Sequence, residues 1–340
     1  MKERDPYFDN LKAILIYSVV LSHFTNLNQD SAIMGGLNNV IHSYVGPLFV
    51  FTTGYFSKGI SMQRPNEIEN ILYPYLVFQM LNYLFTIITG LGAGSANIFV
   101  PTYQNWYLIG VLFWRTVIPY YNFFDKRLCL LLTISLSFII GFSAFFNEFL
   151  ALYRIVYWLP MFVLGYYCKD LRSLLNKYSR YKYVITGMAV AVLCCIAFIS
   201  YSDQGLRAHI AYAYTPVKNY YDFTGNFYLR VMGFLSSIFI SVGLLYIIPK
   251  SRLGLTTIGE HTMYIFLMHM FLVFPLCYYL KNLPDILLLV FSIVMSALIC
   301  FMFSEKLITK ILNPLISWRA LKSIISKNNN QTESKVRKII

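Results

Sequence analysis

Ten apolar runs of about 20 residues follow one another along this chain, and they leave it few folds. They are centred on 10–27, 37–56, 70–91, 104–122, 127–146, 150–168, 183–201, 228–248, 258–280 and 284–303. A helix of that length, rising about 1.5 Å per residue, crosses the hydrocarbon core of a bilayer. The expected fold is therefore all-α, a polytopic membrane protein with about ten transmembrane helices. Composition points the same way. Hydrophobic residues make up 57% of the 340 and charged residues 13%, against roughly 25% charged in soluble domains. A soluble chain with so much apolar surface would aggregate.

The gaps between the runs set the direction. Cytoplasmic loops are enriched in Lys and Arg. With the N-terminus inside and the runs alternating, only Arg207, Lys218 and Lys281 of the 28 basic residues fall outside. Arg115, Arg154 and Arg230 lie within runs, and the other 22 fall inside. A wrong number of spans would mix the two sides, so the split favours ten spans with both termini cytoplasmic. The net charge of +13 needs no nucleic-acid partner, because the basic residues sit in short gaps and form no contiguous patch. The first run has a charged front but no small-x-small cleavage site, and it carries His23; it reads as a span rather than a signal peptide.

Residues 1–303 then form one transmembrane domain and 304–340 a basic cytoplasmic tail. Leu307, Ile311, Leu315 and Trp318 keep helical spacing among Lys306, Lys310, Arg319 and Lys322, as in an amphipathic helix on the inner leaflet. The last dozen residues read as disordered, and the sequon beginning at Asn330 lies on the wrong side for glycosylation. The longest outer segment, about 202–227, is a candidate lid or re-entrant segment. The six cysteines have no zinc-like spacing, so they read as buried free thiols and no metal is expected.

An ionisable side chain at bilayer depth costs on the order of several kcal/mol unless partnered, so each one is a candidate functional group. At about 100° per residue, His23 stands about 20° from Lys12 and about 40° from Asp9 around the first helix. The three share a stripe. Lys12 sits at the cytoplasmic mouth and His23 about 16 Å further along, past mid-depth. A cation at the entrance and an imidazole deep inside suit a ligand that is anionic at one end and reactive at the other, such as an acyl-CoA. The plainer reading is a snorkelling Lys and a His bonded to a neighbouring backbone. His269, about 11 residues into the ninth run, reaches a depth like that of His23. Two imidazoles at one depth can share a site; a bonded interior His is the alternative. Arg115 is mid-span and must find a carboxylate, carbonyls or an anionic ligand. Arg154 and Arg230 lie nearer the outer surface, where a binding site and snorkelling both explain them. Trp106, Tyr107, Trp114 and Trp158 fit interfacial belts better than a sugar groove, with Trp106 kept as a ligand-binding candidate beside Arg154. His42, Glu260 and His261 near span ends, and His209 in the outer segment, carry little signal.

An ordered set of segments resembles the acyltransferase-3 family of integral membrane O-acyltransferases. In DNLKAILIYSVVLSHF, Asp9, Lys12 and His23 stand where that family has Asp, a basic residue and, after ten more, His. PLFVFTTGYFSKG at 47–59 is similar to its Pro-x-Phe-x-x-x-Ser-Gly-Tyr/Phe segment, with Thr53 in the place of Ser. NWYLIGVLFWR at 105–115, YWLPMFVLGYYC at 157–168 and IGEHTMYIFLMH at 258–269 resemble further segments, particularly of the fucose 4-O-acetylase-like branch. The resemblance covers about residues 7–270. It implies a plasma-membrane enzyme that uses an acyl-CoA, acetyl-CoA first among them, from the cytoplasm. Its acceptor would be a glycan or lipid-linked sugar, and other envelope polysaccharide enzymes are candidate partners. It implies that Lys12 and His23 are essential. His23 would be general base or transient acyl carrier, Lys12 would bind CoA phosphate, and Asp9 would hold Lys12 or orient the nucleotide end. Arg115 would stabilise the oxyanion or hold the acceptor; His269, Arg154 and Trp106 are secondary candidates. Lys12 replaces the commoner Arg, which keeps the charge but loses the bidentate fork.

Two readings compete. A multi-pass transporter of a small solute or glycan precursor should show paired broken helices in matching halves. A sensor or assembly subunit would bind no CoA. The chain has one internal echo, between PLFVFTTGYFSKG and PMFVLGYYCKD at 160–170. Its spacing is unequal, so it reads as two similar ways of ending a helix.

Overall fold

The computed structural model describes residues 4–58, 65–92, 94–140, 149–214 and 227–326. Residues 215–226 of the long outer segment, the end of the fifth run and the sequon at Asn330 lie outside these residues, as does the side chain of His209. Every described regular element is a helix. α1 (Pro6–Leu27) starts where Asp5 caps it: the carboxylate accepts the Tyr7 N–H at 3.1 Å, and Pro6 brings a helical φ to the first position. α2 (Ala32–His42), capped by Ser31, and α3 (Val45–Phe56) follow. Next come α4 (Pro65–Thr89), α5 (Trp106–Val117), α6 (Lys126–Ile139), α7 (Leu152–Tyr167) and the short α8 (Leu171–Lys177). α9 (Lys182–Ser202), α10 (Gln204–Tyr214) and α11 (Phe227–Ile247) form the next group. α12 (Thr256–Glu260), α13 (Thr262–Met268), α14 (Met270–Leu280), α15 (Asp285–Ser304) and α16 (Lys306–Ile316) close it.

Among the described residues, five segments are long and apolar enough to cross a bilayer: Glu69–Thr89, Phe149–Tyr167, Ser179–Ser202, Phe227–Ile247 and Asp285–Ser304. α13 and α14, bent 46° from each other at His269, make a sixth when taken together. The remaining expected spans differ for physical reasons. The 37–56 run divides at Ser43 and Tyr44 into α2 and α3. The 104–122 run holds a 12-residue helix continued by a 3-10 segment, Ile118–Phe123, that contains Pro119. α1 has 22 residues, but Asn10, Lys12, His23 and Asn26 dilute its apolar character.

Several polar groups lie inside this fold, alongside its apolar core, and many apolar side chains face outward. Asp9, Asn10, Asn82, Asn105, Arg230 and His269 are buried, while Leu131, Ile139, Val184, Phe198, Ile286 and Phe301 are exposed. Such a surface is stable against hydrocarbon, where each buried polar group must find a partner within the protein. Two expectations are corrected here. Cys194 and Cys195 are exposed rather than buried, because α9 packs on α2 and α11 and turns its other face outward; Cys129, Cys277 and Cys300 are buried. The tryptophans at 114 and 158 lie in the interior instead of in a belt, while Trp106 is half-buried. Trp114 is wholly buried with its indole N–H donating to the Ile155 carbonyl at 2.9 Å, and Trp158 is buried too. Tertiary packing has drawn these amphipathic rings inward.

α3 and α7 pack on each other most extensively. A Cβ on Gly54 would collide with the Phe162 carbonyl oxygen, and one on Gly165 with the Phe51 carbonyl oxygen. These are the glycines of the two echoing segments. The echo is thus a reciprocal crossing, in which each helix brings a glycine to the point where the backbones touch. At the chain's other end, α16 exposes Leu307, Ile311 and Leu315 on one face. Its opposite face is held by Tyr73, which donates to the Pro314 carbonyl at 2.6 Å, and by buried Thr309 and Ile316.

Candidate active site

The two ends of α1 have different chemistry. At the first, the buried Asp9 carboxylate takes Lys12 Nζ at 2.6 Å and Arg4 Nε at 3.4 Å. Asn10 beside it donates to the carbonyls of Pro249 at 2.9 Å and Ser251 at 2.8 Å, and accepts the Thr256 hydroxyl at 2.6 Å. Gly259 in α12 lies so close that a Cβ would collide with the Asp9 carbonyl oxygen. The 249–260 segment therefore locks the start of α1.

At the far end of α1 a cavity of about 680 Å³ opens, with His23 in its wall beside Ser22 and Asn26. His42 closes α2 and faces the same cavity. α7 contributes Arg154 and Trp158, and the start of α5 contributes Trp106 and Tyr107. Gly46 makes room for the Trp158 ring, which a Cβ would approach to 2.8 Å.

His269 lies behind His23, with ring centroids 5.0 Å apart and planes inclined at 38°. The two imidazoles matched in depth along the sequence do meet. His269 is wholly buried at the bend between α13 and α14, and its Nδ1 is 2.9 Å from the Ile265 carbonyl oxygen. A carbonyl only accepts, so Nδ1 carries the hydrogen and Nε2 keeps a lone pair. That Nε2 is buried without a hydrogen-bond partner among the described residues, a state that costs about 1–3 kcal/mol. His42 follows the same logic. Its Nδ1 donates to the Asn38 carbonyl at 2.9 Å, which leaves its Nε2 as a base. Thr25 of α1 donates to the Asn38 side chain at 3.1 Å and ties the two helices together behind it. Sequence reasoning passed over His42 because it ends an apolar stretch. Only the break at Ser43 and Tyr44, just ahead of Gly46-Pro47, makes that end part of a cavity wall.

The segment before α5 is gathered largely by one side chain, with Tyr75 and Thr86 of α4 holding Ile98 and Gly94. Gln79 of α4 donates to the carbonyls of Ser95, Asn97 and Val100 at 3.1, 3.2 and 2.9 Å. Its Oε1 accepts the Thr102 N–H at 2.9 Å and the Asn105 side chain at 3.3 Å. Tyr103 follows with φ +49°, a sparsely populated conformation for a bulky residue. Its hydroxyl occupies the place where a Cβ on Gly92, itself at φ +85°, would fall. Trp106 is thereby delivered to the cavity. Arg154 sits over it, its guanidinium carbon 5.7 Å from the indole ring centre, and donates through Nε to the Tyr153 hydroxyl at 2.6 Å.

Of the residues singled out in the sequence, His23, Arg154 and Trp106 line the cavity and His269 backs it. Asp9 and Lys12 form the ion pair at the opposite end of α1. Arg115 is also apart: its Nε donates to Ser57 Oγ at 3.2 Å, at the end of α3. Arg230 is buried with its guanidinium 4.5 Å from the Tyr157 ring centre. Thr53, at the unusual position of its motif, shares a hydrogen bond with the Tyr107 hydroxyl and so braces the cavity wall. Comparison with curated proteins and with solved structures gives no match. A family model described as an acyltransferase domain matches residues 5–305, which take in both ends of α1 and the whole cavity wall. The chain belongs to the acyltransferase-3 family and is a membrane acyltransferase.

Proposed function

We propose that this enzyme moves an acetyl group from acetyl-CoA to a hydroxyl of a cell-surface or lipid-linked sugar, in the plasma membrane and in the manner of the fucose 4-O-acetylase-like branch. Ten crossings with both termini in the cytoplasm complete the reading. Its main support is His23, backed by His269, in the wall of a cavity that also holds an arginine and two tryptophans. An acyl transfer to oxygen needs the hydroxyl deprotonated as it attacks the thioester carbon, and an imidazole suits that task. His23 takes the proton, the new C–O bond forms, the C–S bond breaks, and the proton passes to the departing CoA sulfur. Once protonated, His23 has two N–H donors, and the neighbouring His269 ring keeps a lone pair that can accept one. An unsatisfied group in the resting enzyme is then satisfied as the reaction proceeds, which is how a site favours a transition state over a ground state.

Lys12 has a second task beside its pairing with Asp9. The Arg4, Asp9 and Lys12 cluster keeps one net positive charge, available to a CoA phosphate about 16 Å along α1 from His23. Arg115 near the end of α3 is a further anion contact on the same side. The test uses purified protein in nanodiscs with radiolabelled acetyl-CoA, following CoA release, label on protein and CoA binding. Release of CoA by wild type supports the reading. Label retained on the protein would make His23 an acyl carrier instead of a base, and protein that neither binds nor consumes acetyl-CoA would refute this donor.

A further inference from the structure

Arg154 stands in the cavity with most of its fork unused. Its Nε is taken by the Tyr153 hydroxyl, and its plane is held over Trp106 and Tyr153, at 5.7 and 5.5 Å to the ring centres. These contacts orient the guanidinium and occupy one N–H of its five. None of the described residues puts a carboxylate in the cavity wall or pairs one with Arg154. Among the described residues, the wall therefore offers one permanent positive charge, two imidazoles at His23 and His42, and indole faces at Trp106 and Trp158. A guanidinium half-withdrawn from water with its Nη edge open matches a carboxylate or phosphate in a bidentate manner, which a lysine could not. Indole faces suit the C–H face of a sugar ring.

We infer that the acceptor is an acidic sugar. It presents an anion to Arg154, either a carboxylate on the ring or the phosphate that joins it to a carrier, while a hydroxyl turns toward His23. This rests on the cavity being the acceptor side of the acyltransferase proposed above.

The experiment measures binding of methyl glucuronide, methyl glucoside and glucose 1-phosphate to the full-length protein in nanodiscs by titration calorimetry. One of the two anionic sugars should bind at least about tenfold more tightly than the glucoside. The stronger of the two identifies carboxylate or phosphate as the group recognised. Arg154→Gln should abolish the preference, and Arg154→Lys, with charge but no fork, should keep part of it. Equal binding of all three, no binding of any, or a preference that survives Arg154→Gln overturns the inference. Free CoA forms the last arm. If CoA displaces the glucuronide and itself binds about tenfold less tightly to Arg154→Gln, the fork serves the donor and the acidic-sugar inference fails while the acyltransferase reading stands. An anion preference in a protein that consumes no acetyl-CoA would leave the sugar site and remove that donor.

Discussion

Removing Lys12 leaves the Asp9 carboxylate buried with only the more distant Arg4 for company. Breaking a buried pair from one side is strongly destabilising, by about 3–5 kcal/mol. Lys12→Ala should therefore unfold at a clearly lower temperature in detergent, and Asp9→Asn in the same chain should restore most of the loss. If the double variant is stable yet still fails to bind CoA, Lys12 holds phosphate as well as Asp9; recovery of CoA binding would make it structural only. At this scale the sequence was informative where geometry is simple. The stripe of Asp9, Lys12 and His23 followed from helical periodicity, and the meeting of His23 with His269 from equal depth. Periodicity did not show that His42 reaches the cavity. The tautomers of His42 and His269 are set by carbonyls four residues back, at Asn38 and Ile265, a local contact that periodicity alone does not assign.

Glycine decides the most extensive helix pairing, that of α3 with α7. Gly165→Ala would push a methyl group into the Phe51 carbonyl of α3, and the two backbones cannot give way as a flexible side chain could. A loss of about 1–3 kcal/mol is expected, as for other overpacked sites. Gly187→Ala on α9 is the control. Nothing lies within 4 Å of a Cβ there, so alanine should raise stability slightly, by about 0.5–1 kcal/mol. Melting temperatures of the two variants that fall together would contradict the crossing. The sequence showed both glycine segments but not their mutual contact, since a 20-residue apolar run says that a helix crosses and not which helix it touches. Breaks were harder still. The division of the second run at Ser43 and Tyr44 and the bend at His269 do not show in apolar run length, and both put functional groups in place. Gln79 was invisible for another reason: it is not ionisable, so a search for charges at bilayer depth passes it by, although it organises the segment that carries Trp106.

At the scale of the whole molecule, α1 has an ion pair at one end and a cavity at the other, which the proposed function assigns to donor and acceptor. The protein's membrane nature was legible from composition and run length alone, and the exposed apolar surface with polar groups inside agrees with it. Direction rests on the distribution of basic residues and is open to a direct check. In a cysteine-free background, Asp30→Cys beyond the His23 end of α1 should react with a membrane-impermeant maleimide in intact cells. Lys250→Cys, beside the start of α1, should react only after permeabilisation. The opposite pattern would invert the topology and put the cavity on the cytoplasmic side. The central claim is that acyl transfer runs through His23. It is tested most directly by CoA release from acetyl-CoA in nanodiscs, comparing wild type with His23→Gln at matched melting temperature. The account predicts a loss of about 10²–10⁴-fold, the range for removing a positioned general base. A His23→Gln enzyme that releases CoA at the wild-type rate would contradict it.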